Sequence, residues 1–463
     1  MKDYKMKLTF YGGVGWVTGA NFLLETLPDK KTQGVKILVD CGMFQGGEES
    51  EKLNKEDFAY NPQDIDALVV THAHADHIGR IPKLVRDGFK GTIYSTEATY
   101  DLAKLMLKDA FEIVSFEAQK KGEEPYYSEA DLKKALSLWK HVPLHSDIPF
   151  GEELKVSLFD AGHILGSAMA VFSYGNKKIV FTGDLGNSPD ILLKDTEIPE
   201  GVDYMVIESV YGDRNHENRE DRIPLLRNAV LETIAKKGTL LIPSFALERT
   251  QVLLFLLNEL IEKKEVPELP IFLDTPLGID VTDIFRKHSY LFNSDIQNRM
   301  KEDTDIFSFP GLKETYTIDD SKSILRQKGP KIIISSAGMS HAGRIIHHHK
   351  QYLGDPSTLV LFVGYQSVGT LGRIIQDGAK KVTILGKEIP VRAKIETISG
   401  YSAHKDSQGL LDFVNQSSQK LKHVFVAMGE LKSSLFLVQR IRDYLGIKAT
   451  APDVNESVVL DMN

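Results

Sequence analysis

Thr71-His72-Ala73-His74-Ala75-Asp76-His77-Ile78-Gly79 packs three imidazoles and a carboxylate into six residues, directly behind the apolar run Ala67-Leu68-Val69-Val70. Ile65 to Thr71 reads as a short buried strand, and Ile81-Pro82-Lys83-Leu84-Val85-Arg86 as the start of a helix that ends near Gly88. The histidines therefore fall in a strand-to-helix loop. In a nearly extended chain His72 and His74 project to one side, so two ring nitrogens can meet one zinc at about 2.0–2.1 Å. Asp76 and His77 then face a second position. A nitrogen and oxygen donor set without thiolate suits zinc, and manganese and iron are compatible with it.

Further donors stand at other strand ends. Lys36-Ile37-Leu38-Val39-Asp40 ends a buried strand in a carboxylate; Asp160-Ala161-Gly162-His163-Ile164-Leu165-Gly166 sets a histidine between glycines; Ile179-Val180-Phe181-Thr182-Gly183-Asp184 ends in another aspartate. Any one of these, taken alone, reads equally well as a cap or a solvated loop side chain. In chain order, however, they resemble the signature of the metallo-β-lactamase superfamily: an Asp, then His-x-His-x-Asp-His, a His and an Asp. That resemblance implies an αββα sandwich, with His72, His74 and His163 holding a first zinc, Asp76 and His77 a second, and Asp184 bridging. Asp40 would be the carboxylate that orients a ligand or the loop. Paired ions of this kind lower the pKa of a bridging water and clamp the attacking and leaving oxygens. The superfamily hydrolyses esters, thioesters, lactams and phosphodiesters, so the signature alone names no substrate.

With 463 residues the chain exceeds the usual single domain, and two domains or one large insertion are expected. Its 42% hydrophobic and 26% charged residues are ordinary for a soluble globular protein. One cysteine excludes an intramolecular disulfide framework and fits a reducing cytosol; Cys41 reads as a small buried hydrophobe. The start Met1-Lys2-Asp3-Tyr4-Lys5-Met6-Lys7 has no apolar stretch behind it, and no run reaches membrane-spanning length, so a cytoplasmic protein with no membrane partner is expected. A net charge of −8 argues against indiscriminate polyanion binding, while a local basic cleft or the metals themselves could receive a phosphate.

After Asp184 the strand Val202 to Glu208 ends in a carboxylate, and then the pattern changes. Asp221 to Lys237 predicts a helix with Pro224 in its first turn, Thr239 to Ser244 a strand, Gln251 to Lys264 a helix, and Pro270 to Asp274, Lys331 to Ser336 and Thr358 to Val363 further strands. Strands alternating with helices predict a parallel sheet flanked by helices, an inserted α/β domain over 211–394 that interrupts a first domain at 1–210, completed by 395–463. That completion is read as short strands and one C-terminal helix, Ser433 to Tyr444.

The insert carries a second resemblance. Pro243-Ser244-Phe245-Ala246-Leu247-Glu248-Arg249-Thr250-Gln251, Leu273-Asp274-Thr275-Pro276-Leu277-Gly278, Ser335-Ser336-Ala337-Gly338-Met339 through Arg344, and Phe362-Val363-Gly364-Tyr365-Gln366 through Arg373 resemble the β-CASP group of the superfamily, from about residue 8 to about residue 455. That group acts on nucleic acids and adds an acidic residue, a His and a second His. Glu208 matches the first, and His404 in Ser399-Gly400-Tyr401-Ser402-Ala403-His404 the second. By resemblance His404 protonates the leaving oxygen and Glu208 holds its ring, and a histidine near neutrality needs such an acceptor to fix its tautomer.

The third match fails. In His423-Val424-Phe425-Val426-Ala427-Met428-Gly429-Glu430, Met428 stands where the group has the second zinc's histidine. A thioether is a poor ligand for zinc held by carboxylate and imidazole. His423 cannot replace it, because five strand residues span roughly 16 Å. The second site is therefore expected to keep Asp76, His77 and Asp184 and to lose its metal first.

Other candidates concern substrate. Ser336, His341 and Arg344 lie in a small-residue loop before a helix, which suits a phosphate; Tyr401 and Phe245 could stack on a base, and Ser402 adjoins Tyr401. His347-His348-His349 predicts no metal tract, because consecutive helical residues face different ways. The reading is a metal-dependent ribonuclease that attacks RNA phosphodiesters with a metal-activated hydroxide, in a cleft between its two domains. His404 is the general acid, Asp76, Glu208 and Asp40 complete the catalytic set, and two Zn2+ sites, with Mn2+ compatible, supply the ions. Single-stranded DNA as substrate, endo- or exonucleolytic cutting and a homodimer stay open. A hydrolase of smaller phosphodiesters or esters, or a weakened nucleic-acid-binding subunit, are the alternatives; the intact ligands from His72 to Asp184 argue against the latter.

Overall fold

The computed structural model describes residues 4–27, 34–216, 221–364, 366 and 369–463. Met1 to Asp3 and Tyr365, which enter the sequence reading, lie outside them. The chain divides into two compact units, Met1–Asn215 with Ala403–Asn463, and His216–Ser402.

In the first unit two seven-stranded sheets are present. One runs in the order Ser457–Asp461, Lys5–Gly12, Asn21–Thr26, Lys36–Val39, Ala67–Val69, Thr92–Ser95, Trp139–His141. The other runs Lys448–Thr450, His423–Val426, Tyr204–Ile207, Lys177–Phe181, Ala168–Tyr174, Leu154–Asp160, Asp147–Phe150. Ala67–Val69, Tyr204–Ile207 and His423–Val426 are buried along their whole length. Covered on both faces and paired in parallel, such strands read as continuous apolar runs rather than as alternation. Leu154–Asp160, in the antiparallel part, alternates instead.

The two sheets share one core. Phe10, Phe22, Val39 and Val69 pack with Phe172, Phe181, Val206 and Phe425, and the ring centroids of Phe22 and Phe181 are 6.0 Å apart. Burying each such side chain contributes about 1.5–3 kcal/mol. On the outer face of the second sheet, Met205, Val424 and Val426 meet Leu410, Phe413 and Val414 of the helix Ser407–Gln416, and Leu437 and Val438 of the helix Leu431–Arg440. The expected single C-terminal helix is thus two. Ser407–Gln416 is capped by Asp406, whose carboxylate accepts from the Gly409 amide, and Leu431–Arg440 passes into a π turn at Ile441–Leu445.

The second unit is the parallel sheet that the alternation predicted, in the order Leu312–Glu314, Ile271–Asp274, Lys331–Ser335, Thr239–Pro243, Leu359–Phe362, Lys394–Thr397. Lys394–Thr397 pairs with Leu359–Phe362. It therefore belongs to the insert's sheet rather than to the closing segment read from 395. As an edge strand it keeps outward polar side chains, which hid it in the sequence. Among the described residues no helix is long and apolar enough to cross a membrane.

Candidate metal centre and its acid–base pair

Register decides where the chemistry collects. Val39 pairs in parallel with Val69, and Phe181 with Val206, which pairs with Phe425. Asp40 and Thr71, and likewise Asp184, Glu208 and Met428, thus leave their strands just beyond carboxyl ends, where parallel sheets place ligands.

Asp40 ties the loop down from a left-handed backbone (φ 58°), a conformation costing about 1–3 kcal/mol in a non-glycine residue. Its Oδ1 accepts from the Thr71 amide at 2.8 Å, and its Oδ2 accepts from Thr71 Oγ1 at 2.8 Å and faces His77 Nδ1 at 2.7 Å. Thr71 Oγ1, already donating to Asp40, accepts from His72 Nδ1 at 3.1 Å. His163 Nδ1 donates to the Ala403 carbonyl at 3.3 Å. These partners put the ring protons of His72, His77 and His163 on Nδ1 and leave Nε2 with a lone pair.

Those lone pairs converge. His72 Nε2 and His163 Nε2 stand 3.1 and 3.3 Å from His74 Nδ1, and 3.4 and 3.5 Å from Asp184 Oδ2. One ligand atom from each of the four residues lies within 4.8 Å of every other. Unprotonated nitrogens cannot hydrogen-bond one another, yet ligands at 2.0–2.1 Å in a tetrahedron are themselves about 3.3–3.4 Å apart. The donor set therefore fits a divalent cation. Burial lowers the pKa of all three rings, most strongly for His74 and His163, and keeps them in the neutral form that a metal binds.

The other oxygen of Asp184 faces the second position. Oδ1 lies 3.3 Å from His77 Nε2, and both atoms are buried without a hydrogen-bond partner, a costly state that an ion relieves. Asp76 Oδ2 is 4.0 Å from His77 Nε2. Burial lowers the His77 pKa, but Asp184 and Asp40 outweigh it and hold the ring well above its ordinary value, so without an ion these carboxylates favour a proton on Nε2 that a bound cation would displace; burial raises the pKa of Asp76. Asp184 itself, raised by burial, is carried well below the carboxylate range by His77 and His72.

Glu208 is buried, its Oε1 accepts from the Leu185 amide at 2.6 Å, and both its oxygens are 3.3 Å from His404 Nδ1. His404 bridges to Gly186, stands 3.9 Å from Asp184 Oδ2 and lies over His163 with centroids 4.5 Å apart. Burial lowers the His404 pKa, but the Glu208 carboxylate more than offsets it and raises the ring to about 9. Burial raises that of Glu208.

Met428 lies apart from these donors in kind. It is 2% exposed, and it packs with Phe10, Val14, Phe22 and Ala427 in the core between the sheets. Its Sδ sits over Gly13, where an added Cβ would be 2.4 Å away. His423 stacks on Phe425 and pairs with Thr450 Oγ1 at 2.9 Å.

The substrate candidates fare differently. Arg344, expected to meet a phosphate, gives Nη1 to Asp274 Oδ1 at 2.7 Å and to the Thr315 carbonyl, and Nη2 to the Tyr316 carbonyl. Ser336 Oγ is 2.7 Å from Thr275 Oγ1, while His341 is exposed. Tyr401 offers no base a face: it is 2% exposed, with its hydroxyl toward the Arg222 carbonyl. Ser402 is half-buried, and Phe245, 38% exposed, lies against Gly338. His348 bonds Asp274 at 2.6 Å and His349 bonds Ser340 at 2.8 Å, so the histidine run is not a metal tract. The residue missed was Thr71, whose hydroxyl links Asp40 to His72; a hydroxyl directly before the first histidine was its signal.

The family model of the metallo-β-lactamase superfamily matches residues 20–229, the β-CASP domain 250–375, and the Zn-dependent metallo-hydrolase RNA specificity domain 388–452. The chain is 34% identical over 409 residues to Ribonuclease TTHA0252 of Thermus thermophilus, covering 88% of this chain and 90% of that protein. It is 31% identical over 482 residues to the transcription termination factor FttA of Methanosarcina mazei, covering 99% and 72%. Integrator complex subunit 11 of Gallus gallus is 27% identical, covering 97% and 73%. A crystal structure of a protein of unknown function from Enterococcus faecalis V583 has the same fold, at 12% identity and a TM-score of 0.57, covering 98% of this chain and all of that one. A divalent-metal centre in an αββα sandwich, a parallel α/β insert and these relatives lead to one conclusion: the chain belongs to the metallo-β-lactamase superfamily, in its β-CASP group.

Proposed function

We propose that this chain is a metal-dependent ribonuclease that hydrolyses RNA phosphodiester bonds. The observation that carries the reading is the convergence of His72, His74, His163 and Asp184 beside the His404–Glu208 pair. The relatives named above, a ribonuclease among them, support RNA as the substrate class. His72, His74, His163 and Asp184 would hold one ion, and Asp76, His77 and Asp184 a second; zinc suits these donors, and manganese is compatible with them. Such ions supply Lewis acidity toward a phosphate oxygen and a water that ionises near neutral pH.

The remaining work falls to side chains. Glu208 accepts at Nδ1 of His404 and keeps that ring protonated at neutral pH, so Nε2 carries the proton delivered to the leaving oxygen. Asp40 and Thr71 fix the rotation of His77 and His72. The single cysteine, Cys41, buried with its thiol pushed up to about 12, is an inert core residue and supports a cytoplasmic setting.

The test is cleavage of labelled RNA and of single-stranded DNA with added zinc or manganese, comparing the wild type with His404→Ala and Asp76→Ala. Metal-dependent RNA cutting that both variants lose is expected. Cutting that both variants retain comes from a contaminant and removes the assignment, and preference for DNA changes the substrate class.

A further inference from the structure

We infer that the chain holds one divalent ion tightly, at His72, His74, His163 and Asp184, and a second only loosely at Asp76, His77 and Asp184, and that Met428 sets this inequality by spending its side chain in the core. The inference rests on the metal-centre part of the proposed function and is independent of RNA as the substrate.

Donor arithmetic is the first support. The first position gathers three neutral imidazoles and one carboxylate oxygen, a complete tetrahedral set. The second has His77 Nε2, Asp184 Oδ1 and Asp76, whose nearest oxygen is still 4.0 Å from His77. Three protein donors leave a coordination position to solvent, and Asp184 is shared between both ions.

The second support is where residue 428 points. It follows the strand His423–Val426, whose register with Tyr204–Ile207 carries it to the same end as Glu208. Its backbone is left-handed (φ 46°) and pinned on both sides, the amide donating to the Gly13 carbonyl and the carbonyl accepting from Ser209 at 3.2 Å. From that fixed point the thioether runs over Gly13 into the cluster of Phe10, Val14 and Phe22. It fills apolar volume and gives the second position nothing that a hard, carboxylate-rich site would take. A small cavity lined by Asp40, His77, Glu208, Phe22, Phe181 and Met428 adjoins it. Met428 and His77 line the same cavity, so a nitrogen donor substituted at residue 428 tests whether that position governs the second site.

Metal stoichiometry tests this without RNA. Wild type, Met428→His, Met428→Leu and His72→Ala would each be stripped, titrated separately with Zn2+ and Mn2+ by calorimetry, then dialysed and counted by mass spectrometry. The wild type and Met428→Leu keep one equivalent per chain through dialysis and bind the second weakly. Met428→His keeps two, with the second Kd lowered at least about tenfold, since loss of even an outer partner of a ligand costs roughly 10–100-fold. Two equally tight equivalents in the wild type overturn the inference. So does a second equivalent lost in Met428→Leu but held by the wild type, which would make the thioether a ligand. A Met428→His protein that unfolds with the wild-type Tm and still keeps one equivalent also overturns it. His72→Ala loses the tight equivalent; if it does not, the metal-centre reading itself falls, whatever the RNA assay returns.

Discussion

Each of the two units gathers histidine around a buried aspartate at or near strand ends. In the first unit His72, His74, His163 and Asp184 converge; in the second, Asp274 meets His348, Arg344, Thr315 and Ser321. Their hydrogen-bond accounts are opposite. Asp274 is fully buried, and both its oxygens are taken by donors at 2.6–2.7 Å. In the first cluster the ring protons of His72 and His163 are drawn outward to Thr71 and Ala403, so their lone pairs face inward toward His74 Nδ1 and Asp184. Histidine beside aspartate is thus a cross-link where the protons point in and a cation site where they point out. The difference lies in the second partner of each ring, not in the residues themselves.

The contrast can be broken at either end. His72→Ala removes a donor from the open cluster, and RNA cleavage should fall by more than about 10⁴-fold, beyond what a single general acid supplies; metal content read alongside falls with it. His404→Ala should lower kcat by about 10²–10⁴-fold while metal content and Tm stay put, because the ring moves a proton and holds no fold together. In the closed cluster Asp274→Ala should cost about 3–5 kcal/mol in urea unfolding, since Arg344 and His348 are left without their acceptor, with bound metal unchanged. A metal lost in that variant would erase the distinction between the two clusters. Asp40→Asn should weaken metal binding by roughly 10–100-fold through His77 and Thr71, with the ligands themselves intact.

The smallest effect is a pH dependence. Burial raises the Asp274 pKa, but the hydrogen bonds of His348, Thr315, Ser321 and Arg344 outweigh it and hold the carboxyl at about 2, against an ordinary 3.8. A carboxyl depressed in the folded state contributes stability that is whole above about pH 4 and is lost as pH falls toward 2. Urea midpoints of the wild type should therefore drop between pH 4 and 2 more steeply than those of Asp274→Asn; parallel curves would show that the pair contributes nothing.

How far the sequence could be read follows the same logic. Ile81 to Arg86 and the strand into Thr71 were legible because apolar runs, a proline in the first turn and a following glycine are local features. The cluster of candidate donors at 72–77 was legible because four polar side chains fall within six residues of one short loop, whereas their meeting with His163 and Asp184 depends on the fold. The helix Ser407–Gln416 differs from the expected short strands, although the Asp406 cap and the apolar face of Leu410, Leu411, Phe413 and Val414 are local signals of it. Tyr401 is buried, and Arg344, half-buried, is tied to an acceptor 70 residues away, at Asp274, which no local pattern announces.

By itself, then, the sequence determined which donors exist, the order in which strands present them, and that residue 428 is a methionine. Tertiary structure alone decided which lone pairs are left open and which are filled, where the Met428 side chain lies, and how a strand register brings Asp184 and His404 together across more than two hundred residues. The physical reason is range. Propensity and spacing act over a few residues, whereas the satisfaction of a buried polar atom depends on whatever the fold carries to within 3 Å of it.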